Sequence, residues 1–260
     1  MATLEEVHNI QVEMLSDLDE FCKKIGISYT MIGGTMLGAI RHQGFIPWDD
    51  DIDIAMSMGD FDELVRNYSS EKFFIQTPAT DIEMPFVMYK MRLNGSIMPE
   101  PEMETLNMHQ GIWIDIFVYT NAGKTDSLKN IQSWLYKLLA TYRCKYLNKN
   151  ANQDRKMHEF FTRIPKSMQL FLDKLILGLI RVCGSKKSNE YFMLDPGKYR
   201  IYPKKYLDNH ERYLFEEQNI NGVKDADEYL TWVYGEDYMI PRKWSHLPDC
   251  SNVVIKKEEE

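Results

Sequence analysis

The chain lacks most of the signals that would place it quickly. Its four cysteines, Cys22, Cys144, Cys183 and Cys250, lie far apart and form no Cys-x-x-Cys pair. That excludes a zinc ribbon or a dithiol redox motif and leaves no disulfide framework. No long uninterrupted apolar run exists either. The most apolar later stretch, Met168 to Cys183, is broken by Asp173, Lys174 and Arg181, so it is not expected to span a bilayer. The first residues are acidic and amphipathic rather than basic and then apolar, so no secretory signal and a cytoplasmic location are expected. Internal repeats and low-complexity linkers are absent. So are a Ser-His-Asp or Cys-His order and a His-Glu-x-x-His motif, which removes support for the common hydrolases.

What is present describes an ordinary globular protein. Of 260 residues, 44% are hydrophobic and 27% charged, enough for a full core, and only the tail from Lys256 to Glu260 reads as disordered. The net charge of −8 hides a division. Residues 124–187 hold 14 Lys and Arg against 4 Asp and Glu, a local +10, so the flanks together carry −18. An acidic chain with one basic helical segment is a poor fit to a nucleic-acid binder. The basic segment suits an anionic polymer or a peripheral contact at the inner membrane face.

Periodicity outlines the elements. Leu4, Val7, Ile10, Met14, Leu18, Phe21 and Ile25 predict a helix over residues 3–25, ended by Gly26. Strands are expected at Ile27–Ile32, Asp51–Met56, Phe73–Gln76, Phe86–Leu93 and Ile112–Val118. Short helices are expected at Thr35–His42 and Asp60–Tyr68, and two longer ones across 126–184, broken at Pro165. Asp195-Pro196-Gly197 reads as a turn. The resulting division is 1–123 as catalytic core, 124–187 as a basic helical insertion and 188–260 as a segment packing back on the core.

Chemistry concentrates between Ile32 and Met56. Asp51 and Asp53 alternate with Ile52 and Ile54, so on a strand both carboxylates face one side. Two acids about 6–7 Å apart repel unless a cation lies between them, and a hard divalent ion with oxygen ligands is the usual solution. Asp115 is a further acid amid apolar residues, costly to bury unless it is used or paired. Gly33-Gly34-Thr35 offers close backbone approach and helix-terminal amides for a phosphate. Together these read as metal-assisted phosphoryl or nucleotidyl transfer, with one or two Mg²⁺ (or Mn²⁺) ions. Asp49 and Asp50 read as turn residues. A calcium loop starting at Asp49 fails, because Ile54 stands where glycine is required and Asp60 where a bidentate glutamate is. Arg41, His42, Lys90 and Arg92 are candidate phosphate ligands, and Trp48 and Trp113 candidate faces for a cationic group.

The run Gly33-Gly34-Thr35-Met36-Leu37-Gly38-Ala39-Ile40-Arg41-His42, continued by Gly44-Phe45-Ile46-Pro47-Trp48-Asp49-Asp50-Asp51-Ile52-Asp53-Ile54, resembles the signature of the LicD family of phosphocholine transferases, relatives of the fukutin-type proteins. Ile112-Trp113-Ile114-Asp115-Ile116-Phe117 resembles that family's second conserved strand. Phe215-Glu216, Tyr229-Leu230 and Tyr234-Gly235-Glu236-Asp237-Tyr238-Met239 resemble its closing segment, with Glu236 as one extra residue. Residues 124–187 match none of its motifs. The resemblance implies an α+β, nucleotidyltransferase-like fold, a mixed β-sheet with flanking helices. It also implies transfer of a phospho-alcohol from a CDP-activated donor, typically CDP-choline, to a sugar hydroxyl of a lipid-linked glycan precursor of teichoic-acid or lipopolysaccharide type, with CMP leaving. By the same resemblance Asp51 and Asp53 are the metal pair, Asp115 the third acid, and Gly33, Gly34 and Thr35 the nucleotide-phosphate turn. CDP-ribitol or CDP-glycerol as donor, or a non-catalytic nucleotide- or glycan-binding module, are the alternatives.

Overall fold

A computed structural model describes residues 2–101, 103–143, 163–195, 201–241 and 250–255. Cys144, the turn beyond Asp195 and the tail from Lys256 lie outside the described residues. Helix α1, Leu4–Ile25, starts at a capping box between Thr3 and Glu6 and stops at Gly26, whose φ of 75° is left-handed. Its inner stripe is Val7, Met14, Leu15, Leu18 and Cys22. Each such side chain contributes about 1.5–3 kcal/mol when fully buried. Strand β1, Tyr29–Met31, runs straight into α2, Gly33–His42. Strand β2, Asp53–Ser57, leads into α3, Met58–Asn67, where the Ser57 hydroxyl accepts from the Asp60 amide as an N-cap.

Strands β3 (Phe73–Gln76), β4 (Tyr89–Leu93), β5 (Ser96–Ile97) and the nine-residue β6 (Trp113–Asn121) follow. Helices α4 (Asp126–Arg143) and α5 (Lys166–Cys183) pack on each other. The chain then adds β7 (Glu190–Met193), β8 (Ile201–Pro203), α6 (Lys204–Asp208), β9 (His210–Phe215), β10 (Gln218–Val223), α7 (Ala226–Tyr234) and β11 (Val254–Ile255).

Nine strands make one mixed sheet in the order β3-β4-β6-β2-β1-β10-β9, with β7 beside the far end of β6 and β8 beside β7. The pairs β2–β6 and β1–β10 are parallel and the others antiparallel. The fold is thus the mixed α+β architecture expected from the sequence. Four strands start later than expected: β1 at Tyr29, β2 at Asp53, β4 at Tyr89 and β6 at Trp113. Asp51 therefore precedes its strand, and strand alternation alone does not set its direction. The core is continuous across both sheet faces, since Ile54, Ala55, Met56, Met91, Ile114, Ile116 and Val118 are all buried. α1 packs across β4, β6 and β10.

Candidate active site

The site begins where β1 turns into α2. Gly33 has φ +56°, which favours glycine, and a Cβ there would lie 3.1 Å from Asp53 Oδ2. A Cβ on Gly34 would lie 2.8 Å from Asp49 Oδ2, so this glycine lets an acid sit against the backbone. The first turn of a helix has no internal acceptors for its N–H groups. The Gly33 amide donates to the Tyr229 hydroxyl at 3.0 Å. The buried Thr35 Oγ1 accepts from the Asp53 amide at 2.7 Å and ties α2 to the start of β2.

Register brings the acids together. Asp53 stands opposite Asp115 in the parallel pair, and Asp115 opposite Lys90 in the antiparallel one. One carboxylate oxygen each from Asp51, Asp53 and Asp115 falls within 4.8 Å of the others. Asp49, Asp50 and Asp51 form a second such group. Loss of water on burial, followed by repulsion from neighbouring acids, pushes Asp51 up to about 7 and Asp49 to about 6. Burial raises Asp53 well above the usual carboxylate range, and raises Asp115 even against the opposing pull of Lys90. Three converging carboxylates that resist ionising beside one another are a donor set that fits a hard divalent cation.

Behind the acids lies a buried cationic layer. Lys90 Nζ donates to Asp115 Oδ1 at 2.6 Å and reaches Glu100 Oε2 at 3.3 Å, while Trp113 Nε1 lies 3.3 Å from Asp115 Oδ2. The ammonium sits 4.4 Å from the Trp113 ring and 4.7 Å from that of Phe86. Arg92 donates to Gln76, the Gly111 carbonyl and Glu100. With Lys90 1% and Arg92 0% exposed, both are committed inside the protein rather than offered to a phosphate. Trp113, 8% exposed, packs in the same layer and backs the acids instead of facing a ligand.

In front of the acids is a cavity of about 440 Å³. Asp49, Asp51, Asp53 and Gly34 line it together with Leu37, Arg41, Ile46 and Trp48. Tyr234, Tyr238 and Ile240 close it. Arg41 Nη1 donates to the Tyr238 carbonyl and Nε to His42 Nε2, so Arg41 borders the cavity and His42 steadies it from outside. The Trp48 indole N–H finds no acceptor among the described residues. Burial raises the Tyr234 hydroxyl, and the nearby charges of Asp53, Asp49 and Asp51 add to the shift.

Residues 26–143 match the LicD/FKTN/FKRP nucleotidyltransferase domain. The chain is 26% identical over 269 aligned residues to the lipopolysaccharide cholinephosphotransferase LicD of Haemophilus influenzae, with 95% of each protein covered. Shorter matches, 48% identical over 44 residues, link 17% of the chain to uncharacterized proteins of Rickettsia prowazekii and Rickettsia typhi.

The matched segment, residues 26–143, holds every acid and cation named above, yet it does not complete the site. From before it, His8 Nε2 contacts the Asp49 carbonyl at 2.7 Å, and Gln11 Nε2 donates to the carbonyls of Asp50 and Trp113. These two side chains of α1 hold the acidic loop on the sheet. From after it come Tyr229, Tyr234 and Tyr238, and also Glu216, which accepts from the Phe45 amide while its own amide donates to Gln43. Sequence reasoning missed His8, Gln11, Tyr229 and the tyrosine wall. Asp49, read as a turn residue, borders the cavity. The only advance signal was that Tyr229, Tyr234 and Tyr238 fall in segments resembling the family's closing motif.

Proposed function

We propose that the protein transfers phosphocholine from CDP-choline to a sugar hydroxyl of a cell-surface glycan precursor of the lipopolysaccharide type, with CMP as the other product. One observation carries this reading. Asp51 and Asp53, whose carboxylates cluster with that of Asp115, line a cavity that Trp48, Tyr234 and Tyr238 also line. A diphosphate bearing a quaternary ammonium has those two needs, a cation-supported anion and an aromatic face for the cationic group. The name of the Haemophilus relative supports the same chemistry.

In this reading Asp51, Asp53 and Asp115 hold Mg²⁺ or Mn²⁺. Bound there, the ion would neutralise charge on the donor's diphosphate and align it. The Arg41 guanidinium and the amide turn at Gly34 meet the phosphate oxygens beside it. Gly33 and Thr35 keep the turn in shape through Tyr229 and Asp53. Lys90 fixes Asp115 from behind and stops the sheet-borne acids from drifting apart. The acceptor hydroxyl attacks the phosphorus bearing choline, the bond from that phosphorus to the CMP oxygen breaks, and CMP takes the electron pair. The hydroxyl proton passes to a cavity carboxylate, for which Asp49 stands outside the metal-holding trio. Leu37, Ile46 and Ile240 keep water from competing with the acceptor.

The test is CMP release from CDP-choline, CDP-ribitol and CDP-glycerol, with a lipopolysaccharide glycan as acceptor and Mg²⁺ or Mn²⁺ present. The expected result is turnover with CDP-choline and a glycan heavier by one phosphocholine. Turnover only with a polyol donor overturns the donor, and silence with all three returns the chain to a binding module.

A further inference from the structure

Helix α5 has apolar residues on two sides. Its inner side buries Gln169, Asp173, Ile176 and Ile180. Its outer side carries Met168, Phe171, Leu175, Leu179 and Val182, which are 44 to 81% exposed. Their spacing of three and four residues puts all five on one stripe. α4 packs along α5 and exposes Trp134 to 62%. A set of large apolar side chains gathered on one helix pair marks an interaction surface, unlike single exposed leucines.

Charge identifies what the surface meets. Lys137 and Lys174 are exposed on the two helices, and Lys186 and Lys187 follow the end of α5. None of these four has a carboxylate partner among the described residues. The helices contain two acids, Asp126 and Asp173, and Asp173 is buried in an ion pair with Arg143 at 3.2 Å. An apolar stripe flanked by unpaired lysines is the pattern of a helix lying in the interface of an anionic bilayer. Self-association through this face would bring lysines against lysines. No helix among the described residues is long and apolar enough to cross a membrane, so any contact lies in the membrane plane.

We infer that the α4–α5 face seats the protein on a bilayer rich in anionic lipid. Phe171, Leu175 and Trp134 enter the acyl boundary and the lysines lie among the headgroups. This inference goes beyond the proposed reaction and does not depend on it. It is tested by flotation of the full chain with vesicles of phosphatidylcholine alone or mixed with phosphatidylglycerol. The protein is expected to float with the mixed vesicles only, and to detach as salt is raised. Lys137→Gln with Lys174→Gln lowers the bound fraction about tenfold at low salt. Phe171→Ser with Leu175→Ser removes binding while the circular-dichroism spectrum stays unchanged. If the serine variant fails to fold, the lysine variant and the lipid dependence of the wild type decide the matter. Equal behaviour with both vesicle types, binding that survives the lysine substitutions, or a dimer in sedimentation velocity that Phe171→Ser dissociates overturns the inference.

Discussion

Asp53 and Asp115 stand directly opposite one another on the neighbouring parallel strands β2 and β6. Side chains opposed in this way point to the same face, so the register alone sets two carboxylates side by side in the core. Asp51 joins them from the loop before β2, and Lys90 from the strand beyond β6. The reactive end of the molecule thus follows from strand pairing, and the cavity wall from a C-terminal helix laid over it.

Stability should carry the signature of this crowding. The Asp51 carboxyl sits near 7 in the folded chain against an unfolded value of 3.8, and Asp53 is shifted in the same direction. The folded state therefore holds protons that the unfolded state releases. This contribution is complete below about pH 4 and is lost as pH rises through about 7. Thermal melts in chelator should show that loss in wild type and less of it in Asp53→Asn. Divalent cation should restore stability near pH 8, by about 2.7 kcal/mol at a hundred times the dissociation constant. Parallel curves for the two proteins would contradict this.

Lys90→Met leaves the buried Asp115 carboxylate without its ammonium, while Glu100 keeps Arg92. Removing one partner of a buried pair costs about 3–5 kcal/mol, so urea unfolding should show a loss of that order. Lys90→Met with Asp115→Asn should recover part of it. A single variant within 1 kcal/mol or so of wild type would mean that the ion pair is dispensable.

The order of elements was largely legible from residue spacing, and the site only in part. The helix stripe from Leu4 to Ile25, the alternation around Asp53 and the apolar run around Asp115 are local signals, and each produced its element. Pairing is not local. Nothing near Lys90 in sequence announces Asp115, so Lys90 read as a free phosphate ligand. Trp113 read as a ligand-facing ring for the same reason. Asp49 was assigned to a turn because the sequence cannot show that Gly34, fifteen positions earlier, leaves room for its carboxylate. The strands β7 to β10 have weak or irregular alternation and were not expected individually. Tyr229 reaches Gly33 across nearly two hundred residues, a contact set by the fold alone.

Two glycines separate packing from propensity. A Cβ on Gly38 would come 2.4 Å from the Gly44 carbonyl oxygen, so Gly38→Ala must shift backbone and should cost about 1–3 kcal/mol. Gly178 in α5 has nothing within 4 Å, so Gly178→Ala should be neutral or stabilising by up to about 1 kcal/mol. Denaturant midpoints of the two variants should move in opposite directions or differ by that margin.

Trp48 offers a ring face and an unpartnered N–H, and substitutions tell them apart. If the ring receives the choline cation, Trp48→Phe keeps most of the affinity for CDP-choline. Trp48→Leu would then raise its KM roughly twofold to thirtyfold, the worth of a cation–π contact of about 0.5–2 kcal/mol. A matching loss in both variants would assign the role to the indole N–H instead, as donor to a phosphate oxygen.

In the proposed reaction the carboxylates on β2 and β6 hold a metal ion against the donor's diphosphate. This role is tested most directly by metal-dependent CMP release from CDP-choline in wild type and in Asp53→Asn, whose fold is checked by circular dichroism. Release in wild type is expected to be switched on by Mg²⁺ or Mn²⁺, with the folded variant at the rate of donor without protein. Metal-dependent release at the wild-type rate from Asp53→Asn would contradict that role.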